Sequence, residues 1–126
     1  MGALAARQFD LFILFSLFVI AFFGHSYGFA LNDILDYKID RSCGDISDRP
    51  LIRGTISLHN AWTFTLICLL TALILAFLLA IYLDAFEPVI LLLLSAALIT
   101  LYNVTSKKYP FMDIWVGLGI FCLGLY

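Results

Sequence analysis

The chain has 126 residues, 63% of them hydrophobic and only 13% charged, with a mean hydropathy of +1.05. A water-soluble domain of this length needs far more polar surface, so the composition argues for a protein that crosses a membrane several times. Seven Lys and Arg against nine Asp and Glu give a formal net charge of −2, and basic residues this few and scattered argue against a nucleic-acid partner. Cys43, Cys68 and Cys122 form neither a CxxC nor a metal-ligand spacing. Two of them lie inside apolar runs, where a free cysteine packs as a small hydrophobe.

In chain order, a short start containing Arg7 and Asp10 leads into a first predicted span at residues 11–31. This run is too long for the core of a secretory signal, so a membrane span rather than a cleaved leader is expected. Gly24, His25 and Ser26 interrupt it. Polar groups at this depth face a bundle interior or a watery cavity. Ser26 lies seven residues before Asp33, on nearly the same helix face. His25 either touches substrate or, more simply, bonds a neighbouring helix.

A polar segment follows at 32–57, then a second span at 58–83 with Trp62 and Tyr82 near its ends as interface anchors. Asp84 to Glu87 makes a short turn, and Pro88 is suited to the first position of the next helix, where its missing N–H costs nothing. The third span is expected at 89–102, a polar loop at 103–110, and a fourth apolar run at 111–126. That last run is short of the ~20 residues a spanning helix needs, so the chain is expected to be part of a longer protein. Gly117, Gly119 and Gly124 suggest close helix approach there.

Charge bias sets the expected topology. The loops 32–57 and 103–110 hold six of the seven Lys and Arg residues, whereas the turn between them holds none. Basic loops face the cytoplasm, which points to an integral, multi-pass protein of the cell's inner (plasma) membrane with both loops on the cytoplasmic side.

The most informative stretch is Asn32-Asp33-Ile34-Leu35-Asp36-Tyr37-Lys38-Ile39-Asp40. Its aspartates fall at i, i+3 and i+7, within a roughly 60° arc of one helix face. Carboxylates on one stripe repel each other unless a cation sits among them. Hard oxygen ligands suit Mg²⁺, which keeps some waters and shares its remaining positions with substrate phosphate. An acidic helix end at a membrane surface therefore reads as a metal-diphosphate site. Lys107 and Lys108 are expected on the same membrane face, where cations can meet phosphate oxygens.

The spacing Asn32-Asp33-x-x-Asp36-x-x-x-Asp40 resembles the first aspartate-rich motif of the UbiA superfamily of membrane prenyltransferases. Arg49-Pro50-Leu51-Ile52-Arg53-Gly54-Thr55-Ile56-Ser57 resembles that family's Arg-Pro-x-x-x-Gly-x-Ile-Ser stretch, and Tyr102-Asn103-Val104-Thr105-Ser106-Lys107 its Tyr-x-x-x-x-Lys signature. The three occur in the family's order. The resemblance implies an all-α transmembrane bundle of about nine helices around a central cavity, of which this chain would supply about four. It also implies a second aspartate-rich motif, which this chain lacks, so the chain alone is expected to be inactive.

The implied activity is Mg²⁺-dependent transfer of an isoprenyl group from a prenyl diphosphate donor to an aromatic or other small-molecule or lipid acceptor. On the residues of this sequence, Asn32, Asp33, Asp36 and Asp40 are expected to hold metal, with Asp33 and Asp36 the catalytic pair. Asn32, Arg49, Tyr102 and Lys107 are expected to contact the diphosphate. Each has a plainer reading. Asp40 can pair with Arg41 or Lys38, Arg49 and Lys107 can be topology charges, and Tyr102 an interface anchor. The 12 Phe and 6 Tyr either line an isoprenoid tunnel and steady a cation or pack against lipid.

Three rival readings fit the same residues less well. Lys107-x-x-Pro110-x-x-Asp113 is similar to a pattern in the superfamily branch that transfers phosphoribose to polyprenyl phosphate. The CDP-alcohol phosphotransferases need an Asp-Gly and Ala-Arg context that is absent here. The third rival is a non-catalytic membrane bundle or remnant.

Overall fold

The computed structural model describes residues 10–42, 48–105 and 113–125, and all regular structure among them is helical. Four helices follow in order: α1 (Leu11–Asp40), α2 (Leu58–Leu83), α3 (Glu87–Thr105) and α4 (Asp113–Leu125). The first three are long and apolar enough to cross a membrane.

Local chemistry sets the helix ends. Asp10 caps α1: its Oδ1 accepts from the Phe12 N–H at 2.8 Å and the Ile13 N–H at 3.2 Å, satisfying two otherwise orphaned donors. Ser57 caps α2 in the same way, accepting from the Asn60 N–H at 3.1 Å. At the other end of α2, Asp84 takes a left-handed conformation with φ 51°. Its short polar side chain tolerates that better than most residues, and the Ala85 N–H returns to the Ala80 carbonyl to close the helix. Glu87 opens α3, one residue ahead of Pro88, and its carboxylate suits the positive end of the helix dipole.

Helix α1 continues nine residues past the expected end of the first span. At 30 residues it is about 45 Å long, against about 30 Å of hydrocarbon in a bilayer. The acidic motif therefore forms the last turns of a continuous helix and is held rigidly. This is what positions the site.

Packing is layered along the helices. Ile13 and Ile20 of α1 bury with Ala76 and Leu79 of α2 and Leu92 of α3. Tyr27 and Leu31 bury with Cys68, and Ala96 packs alongside. Many of the largest apolar side chains point outward instead, among them Phe15, Phe18, Phe29 and Phe77. A surface of that kind belongs in lipid.

Between α1, α3 and α4 the contacts are made by small and polar groups. The Tyr27 hydroxyl lies 2.7 Å from Thr100 Oγ1, Asn103 Nδ2 donates to the Gly28 carbonyl at 3.3 Å, and Ser95 Oγ donates to the Gly119 carbonyl at 2.7 Å. Hydrogen bonds between helices substitute for the hydrophobic force that lipid cannot supply. Close approach is real at Gly119, where an added Cβ would lie 3.1 Å from Ile99 Cγ1, and at Gly28, where it would lie 3.3 Å from Ile99 Cγ2. At Gly117 and Gly124 nothing lies within 4 Å, so of the three glycines near the end of the chain only one meets the packing expectation.

Candidate functional site

The site is built on the last turns of α1. Taking Asn32 as the origin of a helical wheel, Asp36 lies about 40° round, Asp40 about 80° and Asp33 about 100°. The three aspartates share one stripe, but the stripe is wide enough for its two margins to meet different neighbours. Asp36 and Asp40 are each only 7% exposed, whereas the Asp33 side chain is 54% exposed.

Arg49 meets the Asp33–Asp40 margin. Its Nη1 donates to Asp33 Oδ1 at 3.0 Å and to Asp40 Oδ2 at 2.7 Å, so a single guanidinium nitrogen bridges carboxylates seven residues apart. The shorter contact, with the better buried carboxylate, is in the range of a charge-assisted bond. Asp40 thus takes a partner from the following loop rather than Arg41 or Lys38, and Arg41 Nη1 turns to the Tyr37 hydroxyl at 3.3 Å.

The loop is shaped to make this contact. The Arg49 carbonyl accepts from the Ile52 and Arg53 N–H groups, and the Pro50 carbonyl accepts from those of Thr55 and Ile56, with Thr55 Oγ1 adding a third bond at 2.9 Å. Gly54 completes the reversal with φ 75°, a conformation that a Cβ would disfavour. Arg53 bonds Asp48 within the same turn. Both arginines of this stretch are therefore committed to carboxylates.

Two cavities flank the end of α1. The larger, about 420 Å³, lies on the α2 side and is lined by Asp33, Asp40 and Arg49 at its polar rim, by Asn60 of α2, and by apolar groups including Ile34, Leu51 and Phe64. The smaller, about 270 Å³, lies between α1, α3 and α4 and is lined by His25, Asn32, Tyr102 and Asn103 among Phe29, Ile99 and Ile120, with Gly24 and Gly28 also in its wall. Asn32 and Tyr102, expected together on a diphosphate, do share a cavity. Asp33, Asp40 and Arg49 share the other. Asp36 lies between the two groups, buried within the bundle. Lys107 lies outside the described residues, as do Lys108 and Pro110.

Asn60 and Asn103 were not singled out from the sequence. Asn103 had a signal, since it directly follows Tyr102 in the quoted motif. Asn60 had only its place in the first turn after the Ser57 cap.

Among the described residues, no group of three or more His, Cys, Asp or Glu side chains converges closely enough to hold an ion. Asp33 and Asp40 share the Arg49 cation instead. What remains is hard oxygen chemistry: carboxylates and the Asn32 amide at the end of one helix. That suits an ion held by one or two carboxylates and shared with substrate phosphates, the usual mode of Mg²⁺, and does not suit an all-protein cage.

The chain was compared with known proteins. The model of the UbiA prenyltransferase family matches residues 1–126. A digeranylgeranylglyceryl phosphate synthase of Methanobrevibacter smithii is 32% identical over 108 residues, covering 86% of this chain and 37% of that protein. A second protein of that name, from Methanocaldococcus jannaschii, is 40% identical over 83 residues, covering 64% of this chain and 29% of that protein. The chain thus spans about a third of the length of these relatives. No solved structure matches it. With three helices long and apolar enough to span a bilayer, this is an integral, multi-pass membrane protein. The chain belongs to the UbiA prenyltransferase family.

Proposed function

We propose that the protein carrying this chain transfers an isoprenyl group from a prenyl diphosphate to an acceptor at the cytoplasmic margin of the membrane, with Mg²⁺. The observation that carries this reading is the juxtaposition at the end of α1. An acidic helix terminus, with Asp36 buried at its centre, lies beside a mostly apolar cavity whose lining includes Asn32 of the same motif and Tyr102. That is a polar head site joined to a greasy body site, the shape that a lipid diphosphate requires.

The chemical demand is for stabilised negative charge. As the C1–O bond of the donor stretches, the electron pair moves onto the diphosphate. Bound Mg²⁺ would supply Lewis-acid stabilisation of that charge; Asp36 and Asn32 would hold it, joined by Asp33 once that carboxylate exchanges Arg49 for the ion. Asn32 and Tyr102 orient the diphosphate by hydrogen bonds, and Lys107 adds a cation to its oxygens. Ile99 lines the cavity, and Phe29 and Ile120 flank it where it opens toward lipid, an apolar surround in which the allylic cation meets the acceptor before it meets solvent.

The relatives' name points to a glyceryl phosphate lipid as acceptor, its free hydroxyl forming the new C–O bond. It favours prenyl transfer over the phosphoribosyl alternative. The six basic residues of the two loops favour a cytoplasmic position for the motif.

The test is to supply membranes containing the protein with labelled prenyl diphosphate or labelled phosphoribosyl diphosphate and to follow label into lipid. Prenyl label should be incorporated, incorporation should stop on chelation of divalent ions, and Asp36→Ala should abolish it. Full turnover in Asp36→Ala, or incorporation only from the sugar donor, would overturn the proposal.

A further inference from the structure

The α1–α3–α4 cavity holds one titratable side chain to which the transfer reaction has so far given no role. His25 lies seven residues before Asn32, so it projects from nearly the same face of α1, about 10 Å deeper along the helix. Both line the same cavity. Ser26, the neighbouring polar residue, bonds the Phe22 carbonyl of its own helix at 2.8 Å and is not part of that wall.

His25 Nδ1 lies 3.0 Å from the Ala21 carbonyl. A carbonyl oxygen only accepts, so Nδ1 carries the hydrogen. In the neutral ring the lone pair is then on Nε2, across the ring from the nitrogen tied to the helix. Gly24 and Gly28, one residue before and three after His25, leave room around it. The other walls are Phe29, Ile99 and Ile120. Among the described residues lining this cavity none is a carboxylate, Lys or Arg, and the polar side chains beside His25 are those of Asn32, Tyr102 and Asn103. Asp33 and Asp40 are tied to Arg49 on the other cavity. A hydroxyl acceptor attacking an allylic cation must lose its proton, and His25 is the basic nitrogen within this cavity.

Resting on the prenyl-transfer reading, we propose that His25 Nε2 is the proton acceptor for the acceptor hydroxyl. The C1–O bond to diphosphate breaks with its electron pair going to the diphosphate. The acceptor oxygen forms the new bond to C1, and its proton passes to Nε2. The imidazolium and the departing diphosphate balance each other in charge, with the diphosphate end held near Asn32 and the new bond forming deeper, beside His25.

The experiment uses the protein in membranes, with geranylgeranyl diphosphate as donor and a glyceryl phosphate lipid bearing one free hydroxyl as acceptor. Two quantities are read: transfer to lipid, and diphosphate release without acceptor. His25→Gln should lower kcat for transfer by about 10²–10⁴-fold, with KM for the donor unchanged. Acceptor-independent diphosphate release should persist. His25→Ala should regain transfer when imidazole is added. Transfer within about threefold of wild type in His25→Gln, equal loss of transfer and diphosphate release, or no rescue of His25→Ala by imidazole would each overturn the assignment. Wild-type membranes that release no diphosphate would overturn the prenyl-transfer reading itself and this assignment with it.

Discussion

The two sides of the α1 terminus solve different problems with the same helix. Toward α2 and the following loop, the helix presents Asp33 and Asp40 to Arg49, and a charged latch closes over a cavity of about 420 Å³. Toward α3 and α4 it presents Gly28 and Asn32, and contact is made by neutral hydrogen bonds and glycine-level approach, as at Gly28, Ile99 and Gly119. The contrast follows solvation. Ion pairs are tolerable at a polar margin, whereas close packing and neutral bonds hold helices together within hydrocarbon. The charged side is therefore expected to be sensitive to loss of charge, and the packed side to gain of volume.

The largest effect is expected on the charged side. Arg49→Ala leaves the nearly buried Asp40 carboxylate without its 2.7 Å donor and frees Asp33. The cost should be about 1–3 kcal/mol, read as a lowered Tm in detergent. A double-mutant cycle with Asp40→Asn should show coupling, and additive losses would mean that the latch is incidental.

Next comes volume on the packed side. Gly119→Val adds atoms against Ile99 Cγ1, Leu98 Cβ and the Ser95 carbonyl, which already crowd a bare Cβ at 3.1–3.4 Å. Overpacking of this kind costs about 1–3 kcal/mol, and Ile99→Ala should relieve part of it. Gly117→Ala is the matched control: with open space around it, it should stabilise slightly, by up to about 1 kcal/mol, through helix propensity. Equal destabilisation at both glycines would refute the packing assignment.

The smallest effect is expected for Tyr27→Phe. It removes the 2.7 Å contact with Thr100, whose hydroxyl keeps its bond to the Ala96 carbonyl. A loss of about 0.5–1 kcal/mol is expected from thermal or denaturant unfolding.

Much of the architecture was legible in the chain because it depends on local pattern. Long apolar runs gave the helices, and the 3.6-residue period placed three aspartates on one stripe. The caps made by Asp10 and Ser57 emerged only with the structure. The end of α1 was partly legible: the aspartate spacing reads as a helix end, whereas the apolar run that marks the span stops at residue 31, and the helix runs to Asp40. Its polar face is accepted there because Arg49 and the neighbouring helices supply partners. The glycine reading was right in kind but not in place, since spacing cannot tell which of three glycines faces a neighbour.

The sequence by itself determined that this is a helical membrane protein carrying a UbiA-type acidic motif, because hydropathy, periodicity and motif spacing are properties of neighbouring residues. Only the tertiary structure decided that Arg49 bridges Asp33 and Asp40 and that Asn32 opens with His25 and Tyr102 onto a separate cavity. Those outcomes depend on which helix or loop packs against each margin of α1, and the chain's local pattern carries no record of that choice.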